Sequence, residues 1–284
     1  MDYKFTVFTP CYNGEKTIHR VFESMNAQTY TNWEWIIIND GSTDNSDCVI
    51  KELIAESKWG GQIQYFKQEN AGKHVAWNRA VRMATGQLFV PADCDDSFVP
   101  DTLEFFNQKA NELRGADFCS SDLSGISVCC YNPNTNQIIG TPYPQDGIIS
   151  NDIELAYKYH LSGEKWGCVR VDLLKQRPFP ELKGHYYIES YLWYSFPRDG
   201  YSKANYNKKV RAYYYEPESL CNNKRSKWDA DKAFMSLSFN WWKLRNVGHL
   251  IKLYSMKDYL SLYKSTFLCF CKWLLCKVMN VKKK

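Results

Sequence analysis

A chain of 284 residues, 44% hydrophobic and 24% charged, is too long for a small module and too apolar for wholesale disorder. It suits one large α/β domain or a domain with an extension, and a net charge of +5 is too mild to argue for nucleic acid by itself. Eleven cysteines, an odd number with no C-x-x-C and no zinc-ligand spacing, read as reduced thiols of a cytoplasmic protein rather than as a disulfide scaffold.

The start, Met1-Asp2-Tyr3-Lys4-Phe5, carries an early acid and lacks the pattern of a signal peptide. Lys4–Thr9 is β-branched and aromatic and predicts a strand that stops at Pro10. Ile18, Val21, Phe22 and Met25 recur at helical spacing. Trp33–Ile38 is a near-continuous apolar run, as expected of a strand covered on both faces, and it breaks at the turn cluster Asn39-Asp40-Gly41-Ser42. A helix through Val49 and Leu53, a strand at Ile63–Phe66 and a helix with Trp77, Ala80, Val81 and Ala84 on one face follow, with Gly86 expected as the helix C-cap. Leu88–Val90 predicts a fourth strand, running into Pro91-Ala92-Asp93-Cys94-Asp95-Asp96, and Pro100 is expected to open a helix bearing Leu103, Phe106, Ala110 and Leu113. From Asp117 to Thr141 the pattern is irregular, and a helical, aromatic region is expected through Tyr215. No stretch of ~18 uncharged apolar residues is present to span a bilayer.

Strands alternating with helices mean βαβ units and a mostly parallel sheet, whose ligand site lies beyond the carboxyl ends of the strands. Pro10–Asn13, Asn39–Gly41 and Asp93–Asp96 all follow strands and are expected at one rim. Asp93 and Asp95, two apart in extended chain, point to the same side, and hard oxygens suit Mg²⁺ or Mn²⁺. The plainer alternative is a turn or a helix cap, which fits Asp101, Ser42 and Asp44 equally well. A carboxylate at Asp40 would accept a hydrogen bond from a pyrimidine N–H while Tyr12 stacks on the ring. Walker A fails because position 67 is Lys67, and neither G-x-G-x-x-G, G-x-S-x-G nor H-E-x-x-H occurs.

Taken together, F-T-V-F-T-P-C-Y-N-G, W-E-W-I-I-I-N-D-G-S-T-D, N-A-G-K-H-V-A-W-N-R-A and A-D-C-D-D-S-F resemble the nucleotide-sugar half of the family-two glycosyltransferases, which are inverting and have the GT-A fold. The resemblance covers Phe5 to about Leu113, continues less securely through Gly163–Trp166 and Tyr187–Trp193, and fades after about Asn223. It implies a GT-A-like glycosyltransferase domain over 1–223, with a nucleotide-sugar half at 1–115 and an acceptor half at 116–223. A helical extension at 224–284 completes the chain.

The implied nucleotide site comprises Pro10, Tyr12, Asp40, Lys73, His74, Arg79 and Asp93, with Asp95 on a divalent cation, Mg²⁺ or Mn²⁺. Tyr12 and Asp40 would hold a base, most often uracil in this family. Many relatives carry Glu-Asp on the acceptor-side helix, the second acid being the general base. Here the pair reads Glu189-Ser190, which leaves Glu189 as the local candidate, unless it serves only the helix N-terminus.

The expected activity is metal-assisted transfer from a nucleotide-diphosphate sugar to a hydroxyl of a glycan or lipid-linked acceptor. The alternative is a non-catalytic nucleotide-sugar or glycan-binding protein of the same fold. A nucleic-acid role, suggested only by Lys208–Arg211 and Lys224–Lys227, lacks any reading motif. Phe267, Phe270, Trp273 and Leu274, with Lys264, Lys272, Lys277 and Lys282–Lys284, suggest a C-terminal helix lying on the inner face of an anionic membrane, the alternative being an ordinary C-terminal helix packed on the domain.

Overall fold

The computed structural model of the chain describes residues 1–113, 118–181, 188–214 and 230–281. Along the chain run β1 (Phe5–Cys11), α1 (Ile18–Asn26), β2 (Trp33–Asp40), α2 (Ser46–Glu56), β3 (Ile63–Gln68), α3 (Lys73–Met83), β4 (Leu88–Pro91), β5 (Ser97–Phe98) and α4 (Thr102–Glu112). They continue as β6 (Leu123–Asn132), β7 (Gln137–Ile138), β8 (Ile148–Ser150), α5 (Asp152–Tyr157), β9 (Lys165–Arg170), α6 (Val171–Lys175), α7 (Ser190–Arg198) and β10 (Ser202–Ala212). The last three are α8 (Ala230–Asn246), α9 (Gly248–Tyr254) and α10 (Met256–Val281). The residues cluster into two compact units, the first made of 1–149, 162–181 and 202–214, the second of 150–161, 182–201 and 215–284. The second thus gathers, with the C-terminal helices, two segments that the sequence pattern assigns to the acceptor half.

In the first unit the sheet order is β3-β2-β1-β4-β9-β6-β10-β5. The first four strands are parallel, with Val7 opposite Trp35 on one side and Val90 on the other. β9 then runs antiparallel to both β4 and β6, while β10 is parallel to β6. All eight residues of β2 are buried, which explains its unbroken apolar text. The α1 stripe Ile18, Val21, Phe22 and Met25 is fully buried, and Phe22 packs 4.5 Å from Trp35 between ring centroids. Trp77 meets Phe8 edge-on at 5.9 Å and fixes α3 against the sheet.

Three sequence expectations change, the first being that the region read as helical through Tyr215 also holds the strands β9 and β10. Gly86 is not a C-cap, since α3 ends at Met83 with Ala84 in that role; a Cβ at Gly86 would lie 2.6 Å from the Lys4 carbonyl oxygen, so glycine allows the close approach to β1. The stretch read as irregular contains β6, a ten-residue strand paired on both sides and buried over its first eight residues. The ten cysteines among the described residues are free thiols.

Glu34 is a charged residue inside this sheet. Its carboxylate accepts from Thr6 Oγ1 (2.6 Å), Thr85 N (2.7 Å), Thr85 Oγ1 (2.6 Å) and Lys4 Nζ (3.2 Å), tying β1 and β2 to the turn before β4. Burial pushes this carboxyl up, but the hydrogen bonds from Thr6, Thr85 and Lys4 outweigh it and hold it below its ordinary value. Glu34→Gln should therefore cost about 1–3 kcal/mol near neutral pH. A lowered folded-state value stabilises above the unfolded one and is lost as pH falls through the folded one. The gap between wild type and variant in urea unfolding should be flat from pH 5 to 8 and close below about pH 4. A gap that widens in acid would contradict this account.

In the second unit Asn151 caps α5 through its side chain, accepting from Ile153 N and Glu154 N. Ile153, Val247, Ile251 and Leu262 form a small core, and Asn240 Nδ2 of α8 donates to Ser265 Oγ of α10 at 3.1 Å. Among the described residues no helix is long and apolar enough to cross a membrane.

Candidate functional site

Parallel strands β1, β2 and β4 deliver their carboxyl-terminal loops to one rim, as expected, and hydrogen bonds then lock those loops together. Asn13 N donates to Ser42 Oγ (3.0 Å), Thr43 N to Asn13 Oδ1 (2.9 Å), Gly14 N to Ser46 Oγ (2.9 Å) and Glu15 N to Asp44 Oδ2 (3.1 Å). The turn residues Ser42 and Asp44 thus brace the loop after β1. Pro10, opposite Ile38 in the sheet, leads into this loop, and Tyr12 is left 51% exposed on it.

Asp40 is buried at the end of β2. Its carboxylate accepts from Gln68 Nε2 (2.8 Å), Ala71 N (3.0 Å) and Gly72 N (2.8 Å). Its carbonyl accepts from Asn70 Nδ2 (2.9 Å). Gly41 lies at φ +70, and a Cβ there would sit 2.5 Å from Asn70 N, so glycine lets the 70–72 loop close over β2. A carboxylate offers about four acceptor positions, and three are taken by the chain itself. Asp40 therefore shapes the loop that leads into α3.

The acids after β4 carry the charge. One carboxylate oxygen from each of Asp93, Asp95 and Asp96 lies within 4.8 Å of the others. Lys73 Nζ, on the first turn of α3, stands 3.0 Å from Asp93 Oδ1, a buried atom with no aligned hydrogen bond. Arg211 of β10, itself buried, is ion-paired with Asp96 and lies 3.6 Å from Asp93 Oδ2. Burial raises the Asp93 carboxyl, but Lys73 and Arg211 outweigh it and hold it below the usual range. Burial and the neighbouring Asp93 push Asp95 up. Burial pushes Asp96 up to about 7 against the pull of Arg211. Three acids face two cations, an excess of negative charge suited to a further cation.

Arg79 lies on α3 beside the end of β3. Its guanidinium lies 4.9 Å over the Phe66 ring and donates to Gln68 Oε1 at 3.3 Å, so it supports the glutamine that holds Asp40. His74 follows Lys73 on α3, next to Gly72. The structure thus brings Pro10, Tyr12, Asp40, Lys73, His74, Arg79, Asp93 and Asp95 into the first unit. Glu189 belongs to the second, immediately before α7. It is exposed, its side chain makes no capping hydrogen bond, and its carbonyl accepts from Leu192 N at 2.9 Å. Arg211 was missed, hidden in the basic run Lys208–Arg211. That run has internal partners: Lys208 pairs with Asp101 at 2.5 Å, and Lys209 donates to the Asn136 carbonyl at 2.9 Å. The second basic cluster, Lys224–Lys227, lies outside the described residues.

Residues 6–122 match the family model of Glycosyl transferase family 2. Glycosyltransferase GlyA of Streptococcus pneumoniae is 37% identical over 114 residues, 40% of this chain and 16% of that protein. The chain therefore spans a small part of such longer relatives. The putative teichuronic acid biosynthesis glycosyltransferase TuaG of Bacillus subtilis is 26% identical over 250 residues, 86% of this chain and 88% of that one. Among solved structures, S. aureus TarS 1–349 in complex with UDP-GlcNAc superposes with a TM-score of 0.63 at 18% identity, covering 86% of this chain and 67% of that 1–349 fragment. The fold is GT-A-like, and the chain resembles the family-two glycosyltransferases.

Proposed function

We propose that the protein is an inverting glycosyltransferase that moves a sugar from a nucleotide-diphosphate donor, a UDP-sugar, to a hydroxyl of a glycan or lipid-linked acceptor. The observation that carries this reading is the chain of contacts from Asp40 through the 70–72 loop to Lys73 and on to the Asp93–Asp96 cluster. A base recognised at Tyr12 and Asp40 would place its diphosphate toward Lys73 and the acids. TarS with its UDP-GlcNAc supports the choice of donor, and TuaG supports a cell-envelope glycan as product. We assign 1–223 to the transferase domain and 224–284 to a helical extension, acting on the inner face of a membrane.

The buried Asp93 Oδ1 without an aligned hydrogen bond and the all-oxygen donor set fit Mg²⁺ or Mn²⁺, with Asp95 the principal ligand. When bound, such an ion supplies charge neutralisation for the departing diphosphate. The chain's own residues do the rest. Tyr12 stacks on the base, and the remaining acceptor position of Asp40 takes a base N–H. Lys73 exchanges its Asp93 contact for a diphosphate oxygen. Glu189 takes the proton of the acceptor hydroxyl as that oxygen attacks the anomeric carbon in line, which inverts its configuration. Most of the work is positioning and charge placement.

A ligand that binds only the folded state stabilises it by RT ln(1 + [L]/Kd), about 2.7 kcal/mol at a hundredfold excess over Kd. UDP with Mn²⁺ should raise the melting temperature, chelator should remove part of the rise, and Asp95→Asn should abolish that part. A UDP shift indifferent to chelator would sink the metal assignment, and no shift with any nucleotide would sink the donor site. Slow metal-dependent hydrolysis of a nucleotide sugar would separate the enzyme from a non-catalytic binder.

A further inference from the structure

We propose that the exposed face of α10, continued by Phe234 and Trp241 of α8 and Leu253 of α9, lies in the interface of an anionic lipid membrane. Of the fifteen large hydrophobic side chains exposed among the described residues, twelve fall between Phe234 and Val278. Exposed apolar residues are ordinary when scattered, but a concentration of this kind marks an interaction surface. On α10 the arrangement is periodic. Leu262, Thr266 and Cys276 are buried, and Asn240 of α8 reaches Ser265 beside them. On the opposite side Met256, Leu260, Tyr263, Phe267, Phe270, Leu274 and Val278 recur at three- and four-residue steps, every one exposed. At 1.5 Å per residue this stripe is about 33 Å long. Trp273, expected on the same stripe, is instead half-buried, 6.0 Å from Phe234.

The charge around the stripe selects its occupant. From Lys232 to Val281 the sequence holds eight Lys or Arg and one acid, Asp258, a net +7 that exceeds the +5 of the whole chain. At 100° per residue, Lys257 and Lys264 border the stripe on one side and Lys277 on the other, and Lys282–Lys284 follow α10 in sequence. A second copy would bring the same positive charge to the same place and be repelled, whereas acidic headgroups would be attracted while the acyl region takes the apolar side chains. No described helix is long and apolar enough to cross a membrane, so α10 would lie along the surface. This deepens the membrane part of the proposed function but rests on the second unit by itself.

The test uses the full chain and vesicles of phosphatidylcholine with or without phosphatidylglycerol. Binding should be strong only to the anionic vesicles and fall as salt is raised. Each lysine near the surface is worth about 1 kcal/mol, or roughly fivefold in affinity, so Lys257→Gln with Lys264→Gln should weaken binding about 25-fold. Phe267→Glu with Leu274→Glu, both on exposed positions, should abolish it while the nucleotide-induced thermal shift persists. Equal binding to neutral and anionic vesicles, or unchanged binding by the glutamate variant, would overturn the proposal. So would a stable dimer in sedimentation that the glutamate variant dissolves, or tighter capture by a soluble anionic polymer than by vesicles. Loss of the nucleotide shift in wild type would instead count against the donor site and leave the lipid result standing.

Discussion

Glu189→Gln is expected to slow sugar transfer by about 10²- to 10⁴-fold, roughly 3 to 5 kcal/mol of barrier, with donor affinity nearly unchanged. The glutamine keeps the size and hydrogen-bonding capacity of the side chain and removes only its proton affinity, so the loss is confined to the transition state. Ser190→Ala should cost far less, because a serine hydroxyl cannot take a proton from a sugar near neutral pH. Ser190→Asp, which restores the acid pair common among relatives, should be tolerated. The measurement is steady-state transfer with an acceptor, paired with donor titration by thermal shift. Near wild-type transfer by Glu189→Gln would place the base elsewhere and require a new assignment of the acceptor half.

The rim where the strand ends meet was legible in the sequence because its signals are local. Turn clusters after apolar runs, at Asn39-Asp40-Gly41-Ser42 and Asp93–Asp96, sit at strand ends, and parallel topology brings strand ends together. Three features were not legible, each for a physical reason. β6 reads L-S-G-I-S-V-C-C, whose small polar residues give neither alternation nor an apolar run, although the strand is buried between β9 and β10. Arg211 looks like one of three surface cations until β10 is placed beside the acids, a contact over more than a hundred residues of chain. The resemblance implies Asp40 and Arg79 as ligands, and in the structure Asp40 also braces the 70–72 loop while Arg79 also holds Gln68, duties that nothing in a linear pattern distinguishes. The two-unit division likewise depends on where segments 150–161 and 182–201 pack, which their sequence does not encode by composition.

Arg211→Met is expected to destabilise the protein by about 3–5 kcal/mol at pH 8, the usual cost of leaving a buried charge without its partner. Arg211 and Asp96 are both nearly buried, and Lys73 reaches Asp93 rather than Asp96, so the described contacts offer no second cation to take over. The loss should depend on pH, with a sign that can be worked out. Burial already lifts the Asp96 carboxyl to about 7, well above its unfolded value, so its ionisation opposes folding as pH rises through that range. Without Arg211 the folded-state value moves higher still, and the carboxyl stays protonated over a wider range. The penalty of Arg211→Met should accordingly shrink by pH 5, where the acid is neutral in the folded state of both proteins. Asp96→Asn in the Arg211→Met background removes the acid that must take up a proton to fold, and should recover much of the stability at pH 8. The double-mutant cycle then gives a coupling energy well above the 0.5 kcal/mol expected of independent sites. Urea unfolding of the four proteins at pH 5 and pH 8 is the measurement. A loss below about 1 kcal/mol, or one equal at both pH values, would mean that the acid cluster does not depend on Arg211 for its charge balance.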